Sequence, residues 1–160
     1  MCAQEVFSPM REEIRKQLEF TAQWLEQALQ DVSEDEAAAR PGGLAPIVWQ
    51  VGHMVYYDAW LVQDVAGGEL LVPTGYRELF QQGTTGEGPL PPLAEVREAF
   101  RRAHAGLVRL AESSNLEQPA DGGDEYATVG GALSFMNLHR AYHIGKIFTL
   151  RALLGKPRLT

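Results

Sequence analysis

The sequence predicts an all-α protein, a four-helix bundle with a long crossover between its second and third helices, in a single domain spanning residues 1–160. Three observations carry that expectation. Four segments repeat apolar residues at helical spacing, and none sustains the two-residue alternation of a strand. Pro, Gly, Ser and Thr stand where the ends of those segments fall. At 45% apolar and 22% charged residues, a chain of 160 can bury a core without disulfides.

The first helix begins at Ser8-Pro9, an N-cap followed by Pro at the first helical position. It places Ile14, Leu18, Ala22, Leu25, Leu29 and Val32 on one stripe and is expected to run on to the loop Arg40-Pro41-Gly42-Gly43. The second runs from about Pro46 to Ala66 and stops at Gly67-Gly68. It is apolar on two faces, one with Trp49, Tyr57 and Trp60 and one with Val48, Val51, Val55 and Val62. Such a helix is central in the bundle or lies at an oligomer interface.

The crossover, Glu69 to Pro91, is long for a compact domain. Tyr76–Gln82 suits a short helix within it, and 83–89 is flexible by composition. A connection of this length lets helices two and three run parallel. The third helix starts near Pro92, follows Leu93, Val96, Phe100, Ala103, Leu107 and Leu110, and ends near Ser114. The fourth starts at Thr128 as N-cap and ends at Leu154, before Gly155 and Pro157. Gly130 and Gly131 weaken its first turn.

Charge and composition exclude several classes. The net charge of −7, with no Lys/Arg run longer than two, disfavours nucleic acid and anionic lipid as partners. The longest apolar stretch, Leu44 to Tyr57, is broken by Gln50 and His53 and is too short to span a membrane. Residues Met1 to Met10 lack the apolar core of a secretory signal, so a cytoplasmic location is expected. Cys2 is the only cysteine, which rules out an intrachain disulfide and a thiolate zinc cluster.

Chemistry concentrates in the four histidines. His139 and His143 are four residues apart on the last helix, ~40° apart on the wheel, so both imidazoles can converge on one point. His53 shares an apolar face of the second helix with Trp49, Tyr57 and Trp60. Histidines presented from facing helices are how bundles build interior metal sites. Imidazole suits zinc, nickel, copper or iron, and three protein ligands leave a position for water, thiol or substrate. Against this stands the commoner fate of a single buried histidine, a hydrogen-bonded core residue. His104, at the edge of the third helix's stripe, is assigned to the boundary of the bundle and not to the metal.

Two stretches resemble a known family. Ala45-Pro46-Ile47-Val48-Trp49-Gln50-Val51-Gly52-His53, followed by Asp58 and Trp60, is similar to the second helix of DinB-like proteins. His139-Arg140-Ala141-Tyr142-His143-Ile144-Gly145-Lys146, continuing from Leu150 to Pro157, resembles that family's last helix. The family's pattern there is His, three residues, His, one residue, Gly-Gln, then an apolar run ending in Leu-Gly-x-Pro. The resemblance covers about Met10 to Pro157 and is specific mainly at these two helices.

It implies that His53, His139 and His143 are the metal triad, binding one divalent transition ion, zinc or nickel ahead of iron or manganese. It further implies a homodimer and a small-molecule substrate. The implied activity is a transferase using a low-molecular-weight thiol such as bacillithiol or mycothiol, or a related hydrolase. The catalytic group would then be metal-bound water or thiol, and a non-catalytic metal-binding stress or interaction protein is the alternative. Tyr57, Trp60 and Lys146 are the substrate-binding candidates. Lys146 replaces the family's Gln and lies within ~20° of His139 on the wheel. It is either a handle for an anionic cosubstrate or, the favoured expectation, a stem packed in the core with its head at the bundle end. Asp58 stands where Glu is common; at ~140° from His53 it is expected to make a salt bridge or to support the site from behind the ligands.

Overall fold

The structure, a computed structural model, describes residues 8–159. Cys2 and nearly all of the segment read against a secretory signal lie outside that range. The described residues form α1 (Pro9–Leu29), α2 (Glu34–Ala38), a 3-10 turn (Pro41–Gly43), α3 (Ile47–Ala66), α4 (Tyr76–Phe80), α5 (Leu93–Ser113) and α6 (Val129–Leu153), with no strand among them.

Four long helices supply most of the core, and their contacts give their directions. Arg11 near the start of α1 reaches the carbonyls of Ala111 and Ser114 at the end of α5, whereas Glu26 near its end pairs with Arg97 early in α5. These two helices therefore run in opposite directions. Val48 shares a cleft with Leu93, and Val62 lies against Gly106, so α3 and α5 run the same way. Gln50 meets His143 and Asp58 meets Arg140, which sets α3 against the direction of α6.

The two apolar faces of α3 are both used inside the protein. Val48, Val51 and Val55 are buried and belong with Val96, Ala99 and Phe100 of α5 to one core cluster. This face is central in the helical core. Burial of each such side chain contributes about 1.5–3 kcal/mol relative to exposure.

One boundary departs from expectation. The first helix does not continue to residue 40; it ends at Leu29, and α2 begins after Ser33. The Ser33 hydroxyl accepts from the Glu36 amide while the Glu36 carboxylate accepts from the Ser33 amide. This reciprocal cap satisfies two amides that a new helix start would otherwise leave unpaired, and it favours a restart over continuation. At α6 the Thr128 hydroxyl accepts from the Gly131 amide. Gly130 there lets the helix start close to the Leu116 carbonyl, which lies 3.2 Å from where a Cβ would be.

The segment between α3 and α5 is anchored at several points. Its short helix α4 buries Tyr76 and Phe80. The Trp49 indole donates to the Leu79 carbonyl and the Thr84 hydroxyl, and the Gln82 amide donates to the Tyr57 hydroxyl. Arg40 donates to the Thr85 carbonyl. The stretch expected to be flexible from composition is thus bonded to α3 and to the loop after α2.

Candidate metal centre

α3 carries His53 and α6 carries His139 and His143, and packing α3 against α6 brings the three rings together. One nitrogen from each lies within 4.8 Å of the others. Ring centroids are 4.6 Å apart for His53–His143 and His139–His143 and 5.1 Å for His53–His139. Among the described residues no cysteine or carboxylate joins this group.

Second partners orient two of the rings. His53 Nδ1 lies 2.6 Å from the Phe80 carbonyl oxygen, which can only accept, so Nδ1 carries the proton and Nε2 is bare. His143 Nδ1 lies 2.7 Å from Gln50 Oε1, which imposes the same tautomer. This pairing of an outer acceptor with Nδ1–H is how metal-binding histidines are commonly held. His139 has no such acceptor: its Nδ1 is buried without a hydrogen-bond partner.

Gly52 explains how the Phe80 carbonyl comes so close. A Cβ on Gly52 would lie 2.3 Å from the Phe80 ring, so only glycine lets that ring rest on the α3 backbone. Trp49 stacks on the other side of His53 at 4.7 Å between centroids, and Tyr57 packs 4.9 Å from it.

Burial lowers the basicity of all three histidines. His143 is pushed down to about 2, by desolvation first and then by neighbouring His139, His53 and Lys146. His139 is pushed down to about 4, again chiefly by desolvation, with His53 and Arg140 adding to it. His53 is lowered by burial, partly opposed by its bond to Phe80. Near pH 7 all three are neutral, the form that ligates a metal.

The residues therefore fit a divalent transition ion. Three neutral imidazoles converge, two are locked in the bare-Nε2 tautomer, and a buried nitrogen of the third lacks a partner. An all-histidine set suits zinc, nickel or iron better than magnesium or calcium, which prefer oxygen ligands.

Other histidine and charged residues take different places. His104 sits apart from the triad, with Nδ1 3.2 Å from an Arg140 nitrogen and its ring 5.9 Å from Phe100. Asp58 and Arg140 form an ion pair at 2.7 Å, both side chains fully buried. Burial pushes the Asp58 carboxyl up, and the Arg140 guanidinium opposes it. The pair ties α3 to α6 beside the triad.

One cavity opens on the triad, and a second adjoins the residues that pack on it. The first, of about 560 Å³, is lined by His53 and His139 together with Tyr57 and Trp60. The other, of about 510 Å³, is lined by Trp49 and Gln50 together with Lys146 and Arg40. Lys146 is exposed, its ammonium 4.5 Å from the centre of the Tyr142 ring, so its stem is not packed in the core as expected.

Sequence reasoning missed the partners that orient the rings. Gln50 was legible, as an isolated amide one turn before His53 on an otherwise apolar helix. The Phe80 carbonyl was not, because a backbone acceptor leaves no residue-type signal. The family profile of the DinB superfamily matches residues 17–147. No curated protein and no solved structure matches the chain.

Proposed function

Because the chain belongs to the DinB superfamily, we propose that His53, His139 and His143 hold one divalent transition metal that serves a thiol-dependent transferase or a related hydrolase. The convergence of the three imidazoles carries this reading. Zinc or nickel is the expected ion, with iron or manganese next. The four long helices are read as one four-helix bundle filling a single domain, with residues 67–92 as its crossover.

When bound, the metal supplies Lewis acidity that lowers the pKa of a thiol or a water. The chain's own residues do the rest. Gln50 and the Phe80 carbonyl hold two rings in the ligating tautomer. Trp49 and Tyr57 flank His53 and limit water around it. Lys146 and Arg40, which have no carboxylate partner among the described ion pairs and outnumber the one carboxylate of their cavity, Glu87, suit the anionic part of a bacillithiol-type cosubstrate. Tyr57 and Trp60 face the electrophile from the other cavity. In the transfer an S–C bond forms, the electrophile's leaving group departs and the thiol proton passes to solvent.

No described helix is long and apolar enough to cross a membrane. A cytoplasmic location fits the reading because low-molecular-weight thiols are kept reduced there. A homodimer is proposed through the exposed face of Phe20, Trp24, Leu138 and Tyr142 on α1 and α6, and light scattering at micromolar concentration tests it.

Thiol consumption with monochlorobimane, measured on metal-loaded protein with several low-molecular-weight thiols, tests the activity. Turnover that disappears in His53→Ala is expected. Full metal occupancy with no turnover would favour the alternative, a metal-binding stress or interaction protein without catalysis. Metal content near zero in wild type and His139→Ala alike would overturn the centre itself.

A further inference from the structure

The cavity on the Tyr57 side of the triad has a composition that points to one class of ligand. Its walls include four aromatic rings, those of Tyr57, Trp60, Tyr126 and Phe135, and two carboxylates, Asp121 and Glu125. No Lys or Arg lines it. Neither carboxylate, nor the nearby Asp64, takes part in a described ion pair. The cavity beside Trp49 and Gln50 carries Lys146 and Arg40 with one carboxylate, Glu87, so only the cavity on His53 and His139 is lined by carboxylates without a cation.

The acidic wall is a built element. The backbone closes the turn through Ala120 N–H to the Ala127 carbonyl and Glu125 N–H to the Gly122 carbonyl, both at 3.0 Å. Tyr126 lies flat on Gly122, where a Cβ would come within 2.3 Å of its ring, and packs 5.8 Å from Phe135. Burial pushes the Tyr126 phenol up, and the neighbouring Asp64, Glu125 and Asp121 add to it.

We propose that this cavity binds an organic cation, a substrate with a protonated amine or quaternary ammonium on an apolar or aromatic body. The ammonium lies against the rings and between the carboxylates, and the body extends toward His53 and His139. Aromatic faces attract such cations through their quadrupole, most strongly where water is displaced. Unpaired carboxylates on the same wall add attraction and reject anions. At about 560 Å³ the space suits a ligand of that kind. The inference rests on the proposed metal-centred activity only for what happens to the substrate after binding.

Calorimetric titration with benzyltrimethylammonium, benzyl alcohol and benzylsulfonate tests it without turnover, on metal-loaded and metal-free protein. The cation is expected to bind about tenfold tighter than the alcohol, and the sulfonate weakest. Asp121→Asn/Glu125→Gln, which changes two exposed side chains on a turn held by its backbone, should remove that preference and leave binding of the alcohol unchanged. Trp60→Ala should weaken the cation and the alcohol together. Equal affinity for the three probes, no binding of any, or an unchanged cation preference in the double variant would each overturn the proposal. Thiol consumption and metal content are separate measurements, so loss of the activity and loss of cation selectivity can be told apart.

Discussion

Removing Arg140 while leaving Asp58 in place tests how the two ligand-bearing helices are held together. Both side chains are fully buried, and Arg140 Nε and Nη2 donate to the same Asp58 oxygen at 2.9 and 2.7 Å. Arg140 also donates to Thr21 Oγ1 and the Leu18 carbonyl and lies 4.9 Å from the centre of the Phe100 ring. Arg140→Met keeps much of the stem's packing but strands the carboxylate in a site that excludes water. An uncompensated buried charge costs about 3–5 kcal/mol. For a chain of this size each kcal/mol moves Tm by about 2–4 °C, so the expected fall is roughly 6–20 °C.

The double variant Asp58→Val/Arg140→Met separates charge burial from packing. With both charges gone no ion is stranded, and stability should return to within about 1 kcal/mol of wild type. Urea unfolding followed by far-UV circular dichroism, with thermal melts beside it, gives all the corners of the cycle once Asp58→Val is added. A loss below about 1 kcal/mol in Arg140→Met, or a double variant as unstable as the single, would refute the account of a desolvated, mutually dependent pair.

Three further outcomes follow from the same geometry. Gly52→Ala should drive Phe80 off α3, costing about 1–3 kcal/mol by overpacking, and should also weaken metal binding by moving the carbonyl that orients His53; competition with a chelator reads the second effect. Gln50→Leu should lower metal affinity by about 10–100-fold with little change in helicity, since it removes the acceptor that sets the His143 tautomer; unchanged affinity would show that Gln50 does not orient the ring. His104 is held down to about 4 by desolvation and by Arg140, below its ordinary value of 6.5, so its contribution to stability is present above pH 6.5 and lost as pH falls toward 4, while the unfolded chain takes up a proton that the folded chain refuses. His104→Gln should flatten the decline in urea midpoint over that window, and a slope identical to wild type would count against the assignment.

Local patterns determined much of this protein. Helical spacing and the Pro, Gly and Thr signals placed α3, α5 and α6 within a residue or two of their observed ends, because propensity, capping and periodicity act over a few residues. The spacing of His139 and His143 put both rings on one side of α6 for the same reason. The break after Leu29 was written in Ser33 and Glu36, although the continuing apolar stripe masked it.

Tertiary packing decided what spacing cannot encode. His53 meets a pair of histidines 86 and 90 positions away only because α3 runs against α6, and only there does Phe80, lying on Gly52, offer its carbonyl to that ring. The valine face of α3 went to α5, His104 went to Arg140, and Lys146 went to the rim of a cleft instead of the core. Each of these outcomes depends on which helix covers which face. That is a property of the whole packed chain, settled by the burial of apolar surface and the pairing of buried polar atoms.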